Sequence, residues 1–481
     1  MMRFPLLSKV AAMAMVMLVL SIVLMRIDWL VAERRLRQAQ AAASVEQSLA
    51  GAQTLLGPLL HRSCSEEWDT VVGEGKDRRK STDKREFLLT SAAQSLQVTG
   101  ELRAEARYRG LFKVNGYAGG TVLDARWPTL AALQPQRQHA GSRLACGPMR
   151  LMLSVSDVRG LRSAQVQIDG VSVPVLAGTE HGRYPRGLHA GLSDARAALT
   201  EQPLAARITL DLLGTGRLAL VPAAAETTWA LRSDWPHPSF VGRFLPATRE
   251  VGEAGFSARW AVSSLASSAA ADVQRNGEVC ALRQPTDYED GDLPLHAPPA
   301  KDSTCLDTLG VAFIDPVNPY VLTDRATKYA LLFIVLTFGS VAFAEVLARK
   351  RVHPVQYTLV GLALALFYLL LLSLSEHINF GLAYAAASAG CVLLLGFYAS
   401  HMLGHWRAGL SFGAGIALLY GALWVLLQME QTALVIGSLL LFGLLAVVMV
   451  LSRRVDWYAL FDGLRGGAAP AAAARAPGRQ T

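Results

Sequence analysis

Charge is scarce in this chain. Only 17% of its 481 residues are Asp, Glu, Lys or Arg, while 52% are hydrophobic, a balance that points away from a soluble protein and toward the membrane. Cysteine is scarce too: five residues are too few for a disulfide-dense scaffold. Catalytic signatures are missing. There is no H-E-x-x-H, no paired C-x-x-C and no G-x-S-x-G, and the ten histidines fall without metal-ligand spacing. His237, between the prolines of "DWPHPSF", reads as part of a rigid aromatic turn. The stretch "GEGKDRRKSTDKRE" fails as a phosphate-binding loop because Arg79 stands where the second glycine should precede Lys80. Its interleaved charges predict a solvated surface loop, with attraction to anionic envelope polymers left open. No nucleic-acid motif accompanies the net charge of +8. The reading is therefore of a non-enzyme with no cofactor, no metal and no nucleic-acid partner.

Long hydrophobic runs are plentiful. Residues 329–346, 357–374, 380–398, 408–427 and 433–451 are almost free of charge and long enough to cross a bilayer as helices. An earlier run, Val10 to Met25, adds a sixth span, followed by Arg26 and Asp28 at the interface. It reads as an uncleaved anchor rather than a signal peptide, since no convincing A-x-A site follows. Lys and Arg set the orientation. Arg349, Lys350, Arg351, Arg407, Arg453 and Arg454 lie in one set of connections, and the alternate connections around "SEHINF" and "QMEQT" have none. Both termini are then cytoplasmic and the long insertion after the first span lies outside, although the basic run "ERRLR" beyond that span opposes the assignment.

The insertion is not membrane-like. After an Ala- and Gln-rich helical lead, "LQVTGELRAEARYRG" places apolar residues or glycine at every even position from Leu96 to Gly110, the period of a half-buried strand. Gly100 is expected to mark a bulge or bend in so long a run. Shorter alternating runs recur at "QVQIDGVSVPV", "RITLDLL", "RLALVP" and "FSARWAV" between turn residues. The predicted fold is an α-helical bundle of six transmembrane helices plus a large, sandwich-like β-rich extracytoplasmic domain inserted after the first helix. The expected divisions are 1–32 for the N-terminus and anchor, 33–324 for the β-rich domain as one body or two, 325–455 for the five-helix block, and 456–481 for a disordered cytoplasmic tail.

Cys280 and Cys305 flank an acidic, Pro-rich loop and are the favoured disulfide pair; Cys64 with Cys146 is a second candidate with less local support, and Cys391 is a packing residue within a span. Stripes of small residues, Gly381, Ala385 and Ala389, then Gly413, Ala417 and Gly421, predict close helix packing. Polar residues collect where two spans meet, in "SLSEH". Ser373, Glu376 and His377 would share a helix face, and Arg325 or Lys328 at the same outer end would pair with Glu376. Interfacial docking is preferred to ion transport, because no span carries a charge near its middle and none is broken by Pro.

The stretches "LQVTGELRAEARYRGLFKVNGY", "SDWPHPSFVGRFLPATREVGEAGFSARW", "DPVNPYVLTDRATKYALLFIVLTF", "RVHPVQYTLVGLALALFYLLLLSLSEHINFGLAY" and "RRVDWY" resemble the CreD family of inner-membrane, cell-envelope integrity proteins. "GAQTLLGPLL" is similar to an early family motif, although the family tends to continue with Pro and Tyr where this chain has "HRSC". The resemblance implies a multi-pass protein of the Gram-negative inner membrane, linked to the Cre two-component response and envelope homeostasis, and supplies no reaction. Its motifs coincide with Arg325, Lys328, Glu376 and His377, and with Glu105, Arg107 and Arg109 on the outer domain, which become candidate functional positions. The expected role is that of a non-enzymatic envelope-integrity and stress-response factor. Its partners would be the lipid bilayer and either an envelope polymer or a periplasmic or inner-membrane protein. The alternative is a transporter or channel component using Glu376 and His377.

Overall fold

The computed structural model describes residues 5–72, 79–275, 307–315, 318–348 and 352–428, with scattered positions from 438 to 450. The chain forms two compact units: Met1–Arg37 with Val317–Thr481, and Gln38–Pro316. Residues 33–37 and 317–324 thus go with the helices.

In the helical unit, α1 (Pro5–Ser48) is one continuous helix whose last turns, from Gln38, belong to the other unit. Then come α4 (Pro319–Lys328), α5 (Ala330–Ala348), α6 (Pro354–Ser375), α7 (Phe380–Leu403) and α8 (Trp406–Gln428), with α2 (Asp194–Ala197) and α3 (Ala269–Gln274) in the insertion. Four described helices are long and apolar enough to span a membrane, and the pair α4–α5 makes a fifth if taken as one span bent by 45°. The bend falls at Tyr329 without a proline, at the first residue of the expected span 329–346, so that span corresponds to α5 with α4 ahead of it. The sixth expected span, 433–451, lies for the most part outside the described residues, as do 456–481.

Local signals explain the helix starts. Asn318 caps α4 by accepting from the Tyr320 amide, with Pro319 in the first turn. His353 and Gln356 close a reciprocal cap on α6, and Asn379 caps α7 through the Gly381 amide. Close packing uses small residues, and of the predicted stripes only Gly381 and Gly413 take part. A Cβ on Gly409 would meet Ser400 Cβ at 2.4 Å and Gly396 O at 2.7 Å, and Gly413 lies beside Gly396. Ala385, Ala389, Ala417 and Gly421 instead face outward. On α6, Gly361 leaves room for Leu20 of α1. Cys391 is buried, as expected, and accepts a hydrogen bond from the Tyr420 hydroxyl.

The insertion is a two-sheet sandwich. The first sheet runs β14 (Pro238–Gly242), β17 (Leu309–Phe313), β12 (Arg217–Val221), β1 (Gln53–Val72), β6 (Arg150–Val155), β10 (Gly187–Gly191), β9 (Leu176–Ala177), with β2 (Arg79–Ala92) and β5 (Arg143–Cys146) flanking the second half of β1. The second runs β15 (Thr248–Gly252), β16 (Gly255–Ser263), β13 (Glu226–Ser233), β3 (Ser95–Arg109), β4 (Phe112–Trp127), β11 (Leu204–Thr215), β7 (Leu161–Ile168), β8 (Val171–Val173). One core fills the space between them, including Leu55, Leu60, Leu151 and Leu153 from the first and Val98, Leu123, Ile208, Trp229 and Trp260 from the second. The insertion is therefore one body.

The outer face of the first sheet is also covered. Leu56, Leu59, Met152 and Val221 pack there with Tyr184 and with Ala269 and Val273 of α3. Burial on both faces accounts for the unbroken apolar run "TLLGPLL", whose register shifts between Leu56 and Leu59 around Gly57–Pro58. The alternating run forms β3, but Gly100 is no bulge. Register with β4 is continuous from Ser95↔Arg126 to Arg109↔Phe112. A Cβ at Gly100 would sit 2.9 Å from Leu231 Cδ1 on β13, so glycine serves close side-chain approach there. Within the predicted surface loop 73–86, Arg79–Glu86 is instead the solvent-facing half of β2, paired to β1 throughout, and 73–78 lie outside the described residues.

Candidate functional site

The polar junction predicted within the helical unit exists, with different partners. Glu376 caps the end of α6, and its side chain is only 8% exposed. Its Oε1 lies 3.5 Å from Arg34 Nε and accepts from the Tyr320 hydroxyl at 3.4 Å. The cation thus comes from α1, not from Arg325 or Lys328 as the sequence suggested. Lys328 instead meets Asp324 at 3.4 Å, one turn back on α4, and Asp324 also receives Arg35 at 3.3 Å. Lower on the same pair of helices, the Thr327 hydroxyl donates to Asp28. Positions 28 and 35 lie two turns apart on α1, and 320, 324 and 327 share a face of α4, so helical spacing zips these elements together. Two arginines of the "ERRLR" run are consumed here. His377 does not join: it is exposed, and its Nδ1 lies 3.1 Å from Ser373 O on its own helix. Ser373 faces outward with it, and Glu376 turns the other way.

In the sheet unit, Cys64 and Cys146 stand directly opposite on β1 and β5 and are disulfide-bonded, with Cα atoms 4.1 Å apart. Cys280 and Cys305 lie outside the described residues. Beside the bridge, Glu66 is fully buried yet well satisfied. Its Oε1 accepts from the Ser142 hydroxyl and from the Gln138 and His139 amides, and Arg85 meets Oε2 at 3.2 Å. The Ser142 bond first, then the His139 amide, hold this carboxyl down at about 2. The bridge and Glu66 together pin the segment leading into β5 onto β1.

An open groove of about 1020 Å³ runs over this part of the sheet. It is lined by the disulfide, Lys84, Glu86 and Phe87 of β2, and Glu180 and Arg183 of the facing loop. Behind it, three histidines that looked scattered in the sequence are gathered and buried. His61 Nε2 lies 2.9 Å from Thr179 O, and the His61 and His181 rings meet edge to face at 5.5 Å. His189 Nδ1 lies 2.7 Å from Gly178 O, and its Nε2 is 3.4 Å from Glu180, which Arg150 also pairs at 2.6 Å. Burial, with the neighbouring His61, pushes His181 down to about 4, and burial likewise lowers His61. The His61 and His181 rings are therefore neutral packing groups at neutral pH. Among the described residues no cluster of three His, Cys, Asp or Glu side chains is placed to hold a metal.

Of the outer candidates, Glu105, Arg107 and Arg109 share one face of β3 near the β3–β4 turn, and Arg107 pairs with Glu105 at 2.5 Å.

A family model described as Inner membrane protein CreD matches residues 5–458. The chain belongs to the CreD family. Inner membrane protein CreD of Escherichia coli (strain K12) is 33% identical over 460 residues, 95% of each chain. Among solved structures, an M1 zinc metallopeptidase from Deinococcus radiodurans is similar over 35% of this chain and 38% of its own, at 10% identity and a TM-score of 0.18, too low to carry an argument. CreD membership makes this an inner-membrane protein with several apolar helices, in accord with its hydropathy. Sequence reasoning missed Arg34 and Arg35, because it weighed "ERRLR" for topology alone; their spacing from Asp28 was the signal that could have found them.

Proposed function

We propose that this CreD-family protein is a non-enzymatic envelope-integrity and stress-response factor. In this reading both termini are cytoplasmic, and the sandwich faces the periplasm, where it binds an envelope component or a partner protein. The observation that carries the reading is the Cys64–Cys146 bridge across β1 and β5, since structural disulfides belong to oxidising compartments. The absence of Lys and Arg from the alternate connections supports the same orientation. Transport through Glu376 and His377 is disfavoured. Glu376 is engaged by Arg34 and Tyr320, and His377 points away from it.

Two experiments test this. Thiol trapping in intact cells should find Cys64 and Cys146 blocked unless reductant is added; free thiols at both positions would reverse the placement. Survival under envelope stress should persist in cells carrying Glu376→Gln with His377→Asn, provided the protein is present at normal abundance. Loss of protection at normal abundance would revive the transporter reading.

A further inference from the structure

The outer end of the β3–β4 hairpin leaves the sandwich. β13 accompanies β3 only as far as Leu102, and β11 accompanies β4 only from Gly116. Between them, residues 106–114 form a two-stranded ribbon with no third strand beside it. Its two-residue turn has Gly110 at φ 60°, the position at which type II′ turns place glycine. At about 3.3 Å per residue the apex stands roughly 13 Å beyond Asn115. The surface of this projection is unusual. Tyr108 is 68% exposed and Leu111 58%, amid Arg103, Arg107, Arg109 and Lys113, of which Arg107 pairs with Glu105 and Lys113 with Asp315.

The direction of the ribbon is fixed by its base. Tyr117 stacks on Phe313, Asn115 Nδ2 donates to Phe313 O, and Lys113 pairs with Asp315 at 3.2 Å. Going down β4 toward the turn therefore follows the chain out of β17. Pro319, the first residue of α4, comes four residues after Asp315, at most about 14 Å of extended chain. The incoming chain arrives at the same end: the Thr215 hydroxyl donates to Ala50 O, and the Gly216 amide to Asn115 O. The ribbon thus projects from the end of the sandwich at which its chain enters and leaves.

Cations, an amphipathic aromatic and an apolar apex are the composition of an interfacial membrane contact, whereas a protein-binding patch would offer a broader apolar centre. We propose that the β3–β4 ribbon docks on the bilayer its own chain spans. Arg107 and Arg109 would engage anionic phospholipid phosphates, and Leu111 and Tyr108 would enter the headgroup layer. This rests on the proposed envelope role only in giving the bound envelope component a chemistry; the contact is the same whichever leaflet the sandwich faces.

The test uses the full chain in vesicles of phosphatidylethanolamine with phosphatidylglycerol, and in phosphatidylcholine alone. Photoreactive benzoylphenylalanine replaces Leu111 or, as a control, Leu265, which is 97% exposed just beyond the β16 end that pairs through β13 to the far end of β3. Irradiation and mass spectrometry should find lipid adducts at 111 in the anionic vesicles and none at 265. At about fivefold in affinity per arginine, Arg107→Gln with Arg109→Gln should cut the yield at 111 severalfold. Both changes are on the surface, and an intact disulfide reports that the sandwich remains folded. Equal labelling at 111 and 265, adducts of 111 with protein alone, or a yield indifferent to lipid charge and to the arginines would each overturn the proposal. Because survival under stress is measured separately, a missing lipid adduct leaves the envelope role standing.

Discussion

The two units solve opposite problems with their polar groups. The sandwich buries charge and secures it with many short-range donors, as at Glu66. The helical unit collects its carboxylates at helix ends and answers them with long cations from α1. In the first case, the Ser142 hydroxyl and the Gln138 and His139 amides of the segment leading into β5 supply the donors over short reach. In the second, Arg34 and Arg35 give up side-chain freedom to reach Glu376 and Asp324, and the net stabilisation is smaller. The sandwich should therefore be brittle toward reduction and acid, and the bundle brittle toward added volume.

The largest expected effect is loss of the bridge. Its sequence separation of 82 predicts that Cys64→Ser costs about 4.5 kcal/mol by chain entropy. Hydrogen exchange on the full chain should show faster exchange in β1 and β5 with α6–α8 unchanged; equal loosening of both units would erase the contrast. Acid comes next. His181 is depressed from its ordinary 6.5 to about 4, so the folded state binds fewer protons than the unfolded chain between those values. Stability is complete above pH 6.5 and falls as pH drops toward 4, by on the order of 3 kcal/mol. Arg150, His189 and Glu180, which face the neighbouring His61, modulate the size of this effect. His181→Asn should flatten the dependence in a thermal melt of the sandwich, and an unaltered slope would exclude this ring as its source. Glu66, held at about 2, contributes above its unfolded value near 4.5 and loses that contribution only at stronger acidity.

In the bundle, Gly409→Leu should cost about 1–3 kcal/mol through overpacking against Ser400 and Gly396. Ala417→Leu, on the outward face, should be neutral; detergent stability of the pair discriminates them. The smallest effect belongs to the zipper. Arg34→Gln should cost about 1 kcal/mol, read as a modest fall in melting temperature without loss of protein from the membrane. A much larger drop would mean that the junction is buried more deeply than its partly exposed arginine indicates.

Legibility followed the same division. Period-two alternation exposed β3 because one face of that strand is wet, and charge-free runs exposed the spans because lipid tolerates little else. What stayed hidden was non-local. Cys64 with Cys146 stood only second, because spacing does not encode the pairing of β5 with β1, and the loop-flanking Cys280 and Cys305 lie outside the described residues. Gly100 read as a bend, since a sequence does not show Leu231 arriving from a parallel neighbour. The histidines looked scattered because three segments carry them to one place. Glu376 was singled out correctly as a polar helix end, but its partner lay more than three hundred positions upstream.

One feature of the sandwich bears on its ancestry as a module. The strand that begins it and the strand that ends it, β1 and β17, are separated only by β12, a span of roughly 10 Å at ordinary strand spacing. The Thr215–Gly216 turn ties both together, holding Ala50 on one side and accepting the Phe313 amide on the other. Topologically, the insertion is a parenthesis whose two brackets touch. A body closed in this way can be excised and its ends rejoined by a short linker without asking the flanking segments to separate, which makes it a natural unit for deletion, transplantation or exchange between membrane scaffolds.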